Sequence, residues 1–253
     1  MNWIGLKTLY KKEIDRMFRV PGQTLISPAL TTALYFVVFG SAIGSNIVSI
    51  GGATYEQFIV PGLIMMSLIT NSMAAASSGI YFPKFIGTIY ELLSAPLSYF
   101  EIAAGYVAAS VTRALIIGAI IYVIALLFTP LPVVHPLFAI LFALLTATTF
   151  ALFGLILGIW AENFEKLNFF PVIIITPLSF LGGVFYSLEM LPPFWQTVSL
   201  INPIVYMISG LRWSFFGEAD FGPLVSFSLT GVFLALTVVV LMWIFKTGYR
   251  FKN

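Results

Sequence analysis

Few side chains in this 253-residue chain can do chemistry, and their spacing excludes the common reactions. One histidine and no cysteine are present, so a thiolate metal site, a disulfide and a multi-histidine site are all excluded. His135 lies in a short loop between Pro132 and Pro136 and is expected to be solvated. No Gly-x-x-x-x-Gly-Lys-Ser/Thr stretch exists to cradle ATP, and no Gly-x-Ser-x-Gly turn exists to present a nucleophile. The paired intramembrane carboxylates of an aspartyl or proton-relay mechanism are missing too. Glu101 and Glu162 fall near the ends of apolar runs, where water is expected to reach them. No catalytic residue and no metal site is expected.

Arg113 is the exception, a cation inside an apolar run. A charge at the centre of a membrane span costs at least about 2.5–3.5 kcal/mol, so it must face the bundle interior or a watery cavity. Arg113 is then either a substrate-path or gating residue, or a cation bonded to carbonyls, Asn71, Ser110 or Thr112 that holds helices in register. The second is preferred, because no intramembrane acid is available as a partner.

The elements around these residues follow from composition. Hydrophobic residues make up 60% of the chain and Asp, Glu, Lys and Arg only 9%, against roughly 25% charged residues in soluble domains. A soluble enzyme, a nucleic-acid binder and a disordered chain are excluded, and an all-α integral membrane protein remains. About 20 apolar residues make a span, and six stretches qualify: Thr24 to Gly44, Phe58 to Ile80, Phe100 to Phe128, Leu137 to Trp160, Leu167 to Phe185 and Leu224 to Phe245. A seventh apolar run, Pro203 to Phe216, is too short to span and reads as re-entrant.

Of the twelve basic residues, ten share one side of a six-span topology: Lys7, Lys11, Lys12, Arg16, Arg19, Lys84, Lys166, Lys246, Arg250 and Lys252. Only Arg212 falls on the other side, so both termini are expected in the cytoplasm. Residues Asn2 to Val20 do not match a cleavable signal peptide. Trp3, Leu6, Tyr10, Ile14 and Met17 instead recur on one helical face, opposite Lys11, Lys12, Asp15 and Arg19. Such a helix is expected to lie flat among lipid headgroups, until Pro21 and Gly22 break it.

Gly154 and Gly158, with Ala103, Ala104, Gly105, Ala108 and Ala109, mark close helix packing, more within one bundle than between copies. The loop Tyr81 to Ser98 is expected to hold a short helix, capped by Thr88 and running through Ala95, after Pro83 breaks the second span. Leu92 and Leu93 would give it a water-facing apolar patch, fit for protein contact or for tucking against the bilayer. Pro171 and Pro177 are expected to kink or unwind the fifth span. Beyond it, Pro192 and Pro193 start one short helix, with Phe194 and Trp195 at interfacial level. Asn202 and Pro203 start another, and both are expected to fold back over the outer mouth of the bundle.

The GTIYELLSAPLS loop at 87–98, the PLSFLGGVFYSLEMLPPFWQTVSLINPIVYMISGLR segment at 177–212 and the basic helix ahead of span one together resemble the ABC-2 type permease family, the membrane halves of bacterial ATP-binding-cassette exporters. The resemblance implies a connecting helix over residues 1–22 and a six-span domain over 23–253. It implies a coupling helix near 87–96, contacting an ATPase through Gly87, Thr88, Tyr90, Glu91, Leu92, Leu93, Ser94 and Pro96, and a re-entrant outer segment near 186–222. It also implies a dimer and a separate ATPase subunit that binds ATP and Mg, with no cofactor on this chain. A path between spans one, two and five of each copy would pass Asn71, Arg113, Pro177, Phe180, Phe185, Tyr186 and Pro203. The large cysteine-bearing outer loop of eukaryotic G-type transporters is absent, so nothing of their drug site is carried over.

The function expected is thus the permease subunit of an exporter in a bacterial inner membrane, moving small amphipathic or drug-like compounds. Lipid-linked glycans are the alternative cargo. An ATPase-independent secondary transporter is the alternative class, although the internal repeat and midplane ionisable groups it needs are not evident. Membrane lipids and a second copy are expected partners, and nucleic acid is not.

Overall fold

The computed structural model describes residues 2–44, 50 and 52–248. Arg250 and Lys252, counted above for orientation, lie outside the described residues. The regular structure among the described residues is helical, apart from an isolated bridge between Ile50 and Ala53, and six helical segments are long and apolar enough to cross a membrane. The fold is an all-α membrane bundle.

The chain opens with α1, Trp3–Arg19. A π-helical turn, Gly22–Ile26, leads into α2, Ser27–Gly44. Pro28 explains that turn. Its ring would clash with the carbonyl four residues back, and the wider turn instead pairs the Ser27 N–H with the Gly22 carbonyl. The same device recurs in the fifth span, built from α7 (Phe164–Phe169), a π-helical stretch (Phe170–Ile175) and α8 (Thr176–Leu181). There the Thr176 N–H reaches the Pro171 carbonyl just ahead of Pro177.

At the centre stands α3, Tyr55–Ile86, whose 32 residues reach about 48 Å at about 1.5 Å each, well past the bilayer core. It starts with a capping box between Thr54 and Gln57. Pro83 does not break it, contrary to expectation, and the helix runs on to Ile86 before Gly87 stops it at φ +84°. Neighbours hold that last turn in place. Tyr81, Phe82 and Phe85 pack on Phe164, and Lys84 donates to the Ile159 carbonyl at 2.6 Å.

After the short helix α4, Ile89–Ser94, α5 covers Tyr99–Leu126 and α6 covers Pro136–Trp160. The glycines of α6 seat it against α3. A Cβ at Gly154 would come within 2.3 Å of the Met73 carbonyl oxygen, and one at Gly158 within 2.5 Å of the Ser77 oxygen. The Gly-x-x-x-Gly pair therefore serves packing within the bundle. Helices α9 (Pro193–Ser199), α10 (Pro203–Phe216) and α11 (Pro223–Thr247) complete the chain.

Asn202 caps α10 as expected, accepting from the Ile204 N–H. The helix α10 is largely buried, packed against α3, α6 and α11. His135 is not simply solvated either. It is half-buried and stacks on Trp213 of α10 at 4.4 Å.

Burial is uneven. In α3, 78% of the span is buried, against 17% of the α7–α8 span and 22% of both the first span and α11. The first span and the α7–α8 span leave Leu30, Leu34, Val38, Val172 and Ile173 exposed. The end of α3, the start of α5, the end of α6 and the end of α11 lie together, as Lys84 on Ile159 and Tyr99 stacked on Phe245 show. Together they form the basic end of the bundle.

Candidate functional site

The basic end carries α4. Its only buried residue is Ile89, which anchors it to the core. Leu92 and Leu93 are half-buried and pack inward, so they do not form the water-facing patch expected of them. A six-residue helix shows one side to solvent and must spend its leucines on the other. The exposed face is made by Tyr90, Glu91 and Ser94, flanked by Gly87, Thr88 and Pro96. The neighbouring end of α3 adds Phe85 and Ile86, which are 62% and 68% exposed. Thr88 occupies the cap position without a side-chain hydrogen bond, and the helix ends at Ser94 rather than Ala95.

What fixes α4 in place is the start of α1. The Asn2 N–H donates to Glu101, and the Asn2 side-chain amide donates to the Pro96 carbonyl at 3.1 Å. Glu101 is therefore not bathed in water. It is buried, and it accepts from the Ser98 N–H at 2.7 Å and the Ser98 hydroxyl at 2.9 Å. Ser98 and Glu101 make the capping box of α5. From there α1 follows α5: Leu9 packs on Gly105 and the Tyr10 hydroxyl meets the Thr112 hydroxyl at 3.1 Å. Its buried residues are Leu9 and Met17, while Trp3 is exposed. The helix thus docks largely by its expected stripe, with Met17 buried and Leu6, Tyr10 and Ile14 half-buried, and Leu9 adds a contact that the stripe did not include.

At the opposite end an aromatic chain links the first and fifth spans. Phe185 is buried, with Phe39 at 4.3 Å, Phe180 at 5.4 Å and Tyr35 at 6.4 Å between ring centres. The Tyr55 hydroxyl holds the Phe185 carbonyl at 3.0 Å. Pro177 and Phe180 are exposed on α8, while Tyr186 and Pro203 are half-buried. Asn202 ties α10 to α8 by donating to the Leu178 carbonyl at 2.7 Å.

The expected path residues are not all brought together. The Asn71 amide donates to the Ser67 carbonyl and hydroxyl on its own helix, and Arg113 makes no hydrogen bond to it. Arg113 lines a cavity between α1, α3 and α5 instead, and Glu13 lines the same cavity. An acid is thus available at the depth where none was expected, because it comes from α1 and not from a span. Burial holds the Glu13 carboxyl above the ordinary carboxylate range, against the opposing pull of Arg16 and Lys12.

Charge counting places Arg212 on the outer side of the membrane, and there it is buried. It donates to Asp220 at 3.1 Å and to the Gly183 carbonyl at 2.7 Å, and its guanidinium lies 3.8 Å from the Phe58 ring centre. Only the short separation of Asp220 along the chain hinted at it.

A family model described as ABC-2 type transporter matches residues 5–216. The chain is similar to the inner membrane transport permease YadH of Escherichia coli K12, with 45% identity over 99% of this chain and 98% of the relative. It is more distantly similar to the nodulation protein J of Rhizobium leguminosarum bv. trifolii, with 26% identity over 84% of this chain and 80% of that protein. The nodulation protein J of Rhizobium meliloti is 24% identical over 83% and 80% of the two chains.

Proposed function

The chain belongs to the ABC-2 type transporter family, and on that premise we propose that it is the permease subunit of an ATP-binding-cassette exporter, driven by a separate ATPase that docks on α4. It forms the translocation path as a homodimer in the bacterial inner membrane, with the basic end and both termini in the cytoplasm. The single observation that carries this reading is the α4 face. Tyr90, Glu91 and Ser94 stand exposed on a helix anchored by Ile89 and clamped through Pro96, Asn2 and Glu101 to the starts of α1 and α5. A push on such a helix reaches two long helices without being absorbed by a loose loop.

The exposed apolar faces of α2 and the α7–α8 span support pairing of two copies across those spans. The path then runs between spans one, two and five of each copy and leaves past Phe180, Phe185 and Tyr186. Asn71, Pro177 and Pro203 complete the set, while Arg113 faces the cavity beside α1 instead. The mostly apolar wall fits small amphipathic compounds. ATP and Mg bind the partner, and this chain is a transport subunit without hydrolytic machinery of its own.

The test is reconstitution of the chain with its ATPase, with Tyr90→Ala and Glu91→Arg against wild type. Loss of ATPase stimulation and of transport together is expected, with the bundle still folded. Undiminished coupling in both variants overturns the docking site, and transport by the chain without any ATPase overturns the exporter reading itself.

A further inference from the structure

The cavity beside Arg113 has a volume of about 510 Å³. Its walls come from the end of α1 (Glu13, Arg16, Met17), the π-helical turn after it (Gln23, Thr24), α3 (Ala75, Ser78, Phe82) and α5 (Ala109, Ser110, Arg113). Packing alone does not explain its charges. The Arg113 Nε is buried with no hydrogen-bond partner, and Arg113 forms no ion pair with any described residue. A guanidinium held this way in the bundle is costly unless something supplies acceptors. Glu13 does not do so. Its side chain is 10% exposed, and one oxygen bonds Arg16 at 3.3 Å while the other, buried, has no partner.

The charged neighbour that bears on Arg113 is Arg16, of like sign. Two guanidinium groups therefore share one cavity with a single carboxylate, which leaves one net positive charge. The hydroxyls of Ser78 and Ser110 already donate to carbonyls of their own helices, which leaves their oxygens as acceptors only.

The surroundings say what sort of anion fits. Lys11, Lys12 and Arg19 are exposed along α1, and Arg16 is 44% exposed, so this flank belongs at headgroup level. Met17, Ala75, Ala109 and the Phe82 ring supply an apolar wall, and Arg16 lies over Phe82 at 5.5 Å. A ligand here has its charge at the arginines and its apolar body along the helices. A guanidinium edge accepts a phosphate by two parallel hydrogen bonds, which a lysine cannot offer.

We propose that this cavity is a binding site for a phosphate-bearing lipid headgroup from the leaflet at the basic end, held between the Arg113 and Arg16 guanidinium groups. The site needs neither the ATPase nor transport, so it stands or falls separately from the exporter reading.

The test uses the full chain in a neutral maltoside detergent, titrated with short-chain dihexanoyl phosphatidylglycerol, with uncharged dihexanoylglycerol and with inorganic phosphate. Binding is read by native mass spectrometry and by the saturable rise in melting temperature. Phosphatidylglycerol is expected to bind well above dihexanoylglycerol and above phosphate. Arg113→Gln is expected to weaken it about ten-fold or more, the worth of a charged hydrogen bond, with partial rescue in Arg113→Lys. Should Arg113→Gln fail to fold, Arg16→Gln and Ala75→Leu carry the test, the latter filling the cavity while keeping every charge. Equal binding of the charged and uncharged lipids, inorganic phosphate binding as tightly as the lipid, or wild-type affinity in the folded variants overturns the proposal.

Discussion

Leu9 of α1 occupies the space that a side chain at position 105 would need, with its Cδ2 only 2.8 Å from where a Cβ on Gly105 would stand. The amphipathic helix and the third span are fitted to each other at this point, midway between the Asn2–Glu101 clamp and the Arg113 cavity. Leu9 ends in a mobile tip, so Gly105→Ala is tolerated with a small shift. Gly105→Leu forces α1 away and costs about 1–3 kcal/mol, the usual scale for overpacking. Pairing it with Leu9→Ala restores much of the loss. Thermal unfolding of the three variants in detergent checks this, and additive losses in the double variant would break the assigned contact.

A sharper effect is expected at Gly154, where the obstructing atoms belong to the Met73 backbone and cannot swing aside. Gly154→Ala should separate α3 from α6, and its loss of stability should exceed that of Gly105→Ala. Gly231→Ala, whose added Cβ meets nothing within 4 Å, serves as the control and should match wild type. Size-exclusion profiles and melting temperatures rank the three.

These two contacts show which features of the fold were legible before the structure. Gly154 and Gly158 could be read as packing within the bundle because their spacing on one helix face is itself the mechanism. The six spans followed from apolar length, and the start of α10 from Asn202 and Pro203. Pro83 misled, because a proline's local penalty was weighed without the Phe164 cluster and the Lys84 bond that hold the turn. Glu162 is exposed as expected, but Glu101 was misplaced for a related reason. Glu101 belongs to a capping box with Ser98 that was open to reading, but its bond to Asn2 spans 99 residues. Glu13 stands next to the apolar stripe of α1, and its place in a cavity wall depends on residues of α3 and α5 that the sequence of α1 does not show. Arg212 was legible only as a charge outside a span, since its partners arrive from Gly183 and Asp220.

Arg212 and Asp220 form a buried pair, with side chains 3% and 14% exposed. Removing one partner strands the other, at a typical cost of about 3–5 kcal/mol, whereas replacing both with apolar groups costs less. Asp220→Ala should therefore lower the melting temperature more than the double variant Arg212→Met with Asp220→Ala. The Gly183 turn, held by the same guanidinium, should become more open to proteolysis only in the double variant, where Arg212 is replaced. Equal melting temperatures for the single and double variants would show that the pair is not coupled.

Glu13 sets a pH dependence whose sign can be worked out. Burial, the largest cause, lifts its carboxyl above the ordinary carboxylate range, while Arg16 and Lys12 pull it down. It also faces Arg113 and Tyr106 of α5, and Gly79 of α3. The folded chain therefore holds this proton more tightly than the unfolded chain. Its contribution to stability is fully present below the unfolded value and is lost as pH rises through the folded one. At neutral pH the buried carboxylate is a burden that the half-exposed Arg16 offsets only in part. Glu13→Gln should then melt above wild type at pH 7.5, and the gap should close as the pH is lowered towards 5. A gap that stays constant across this range, or one that widens towards acid, would place the carboxyl in water instead of in the cavity wall.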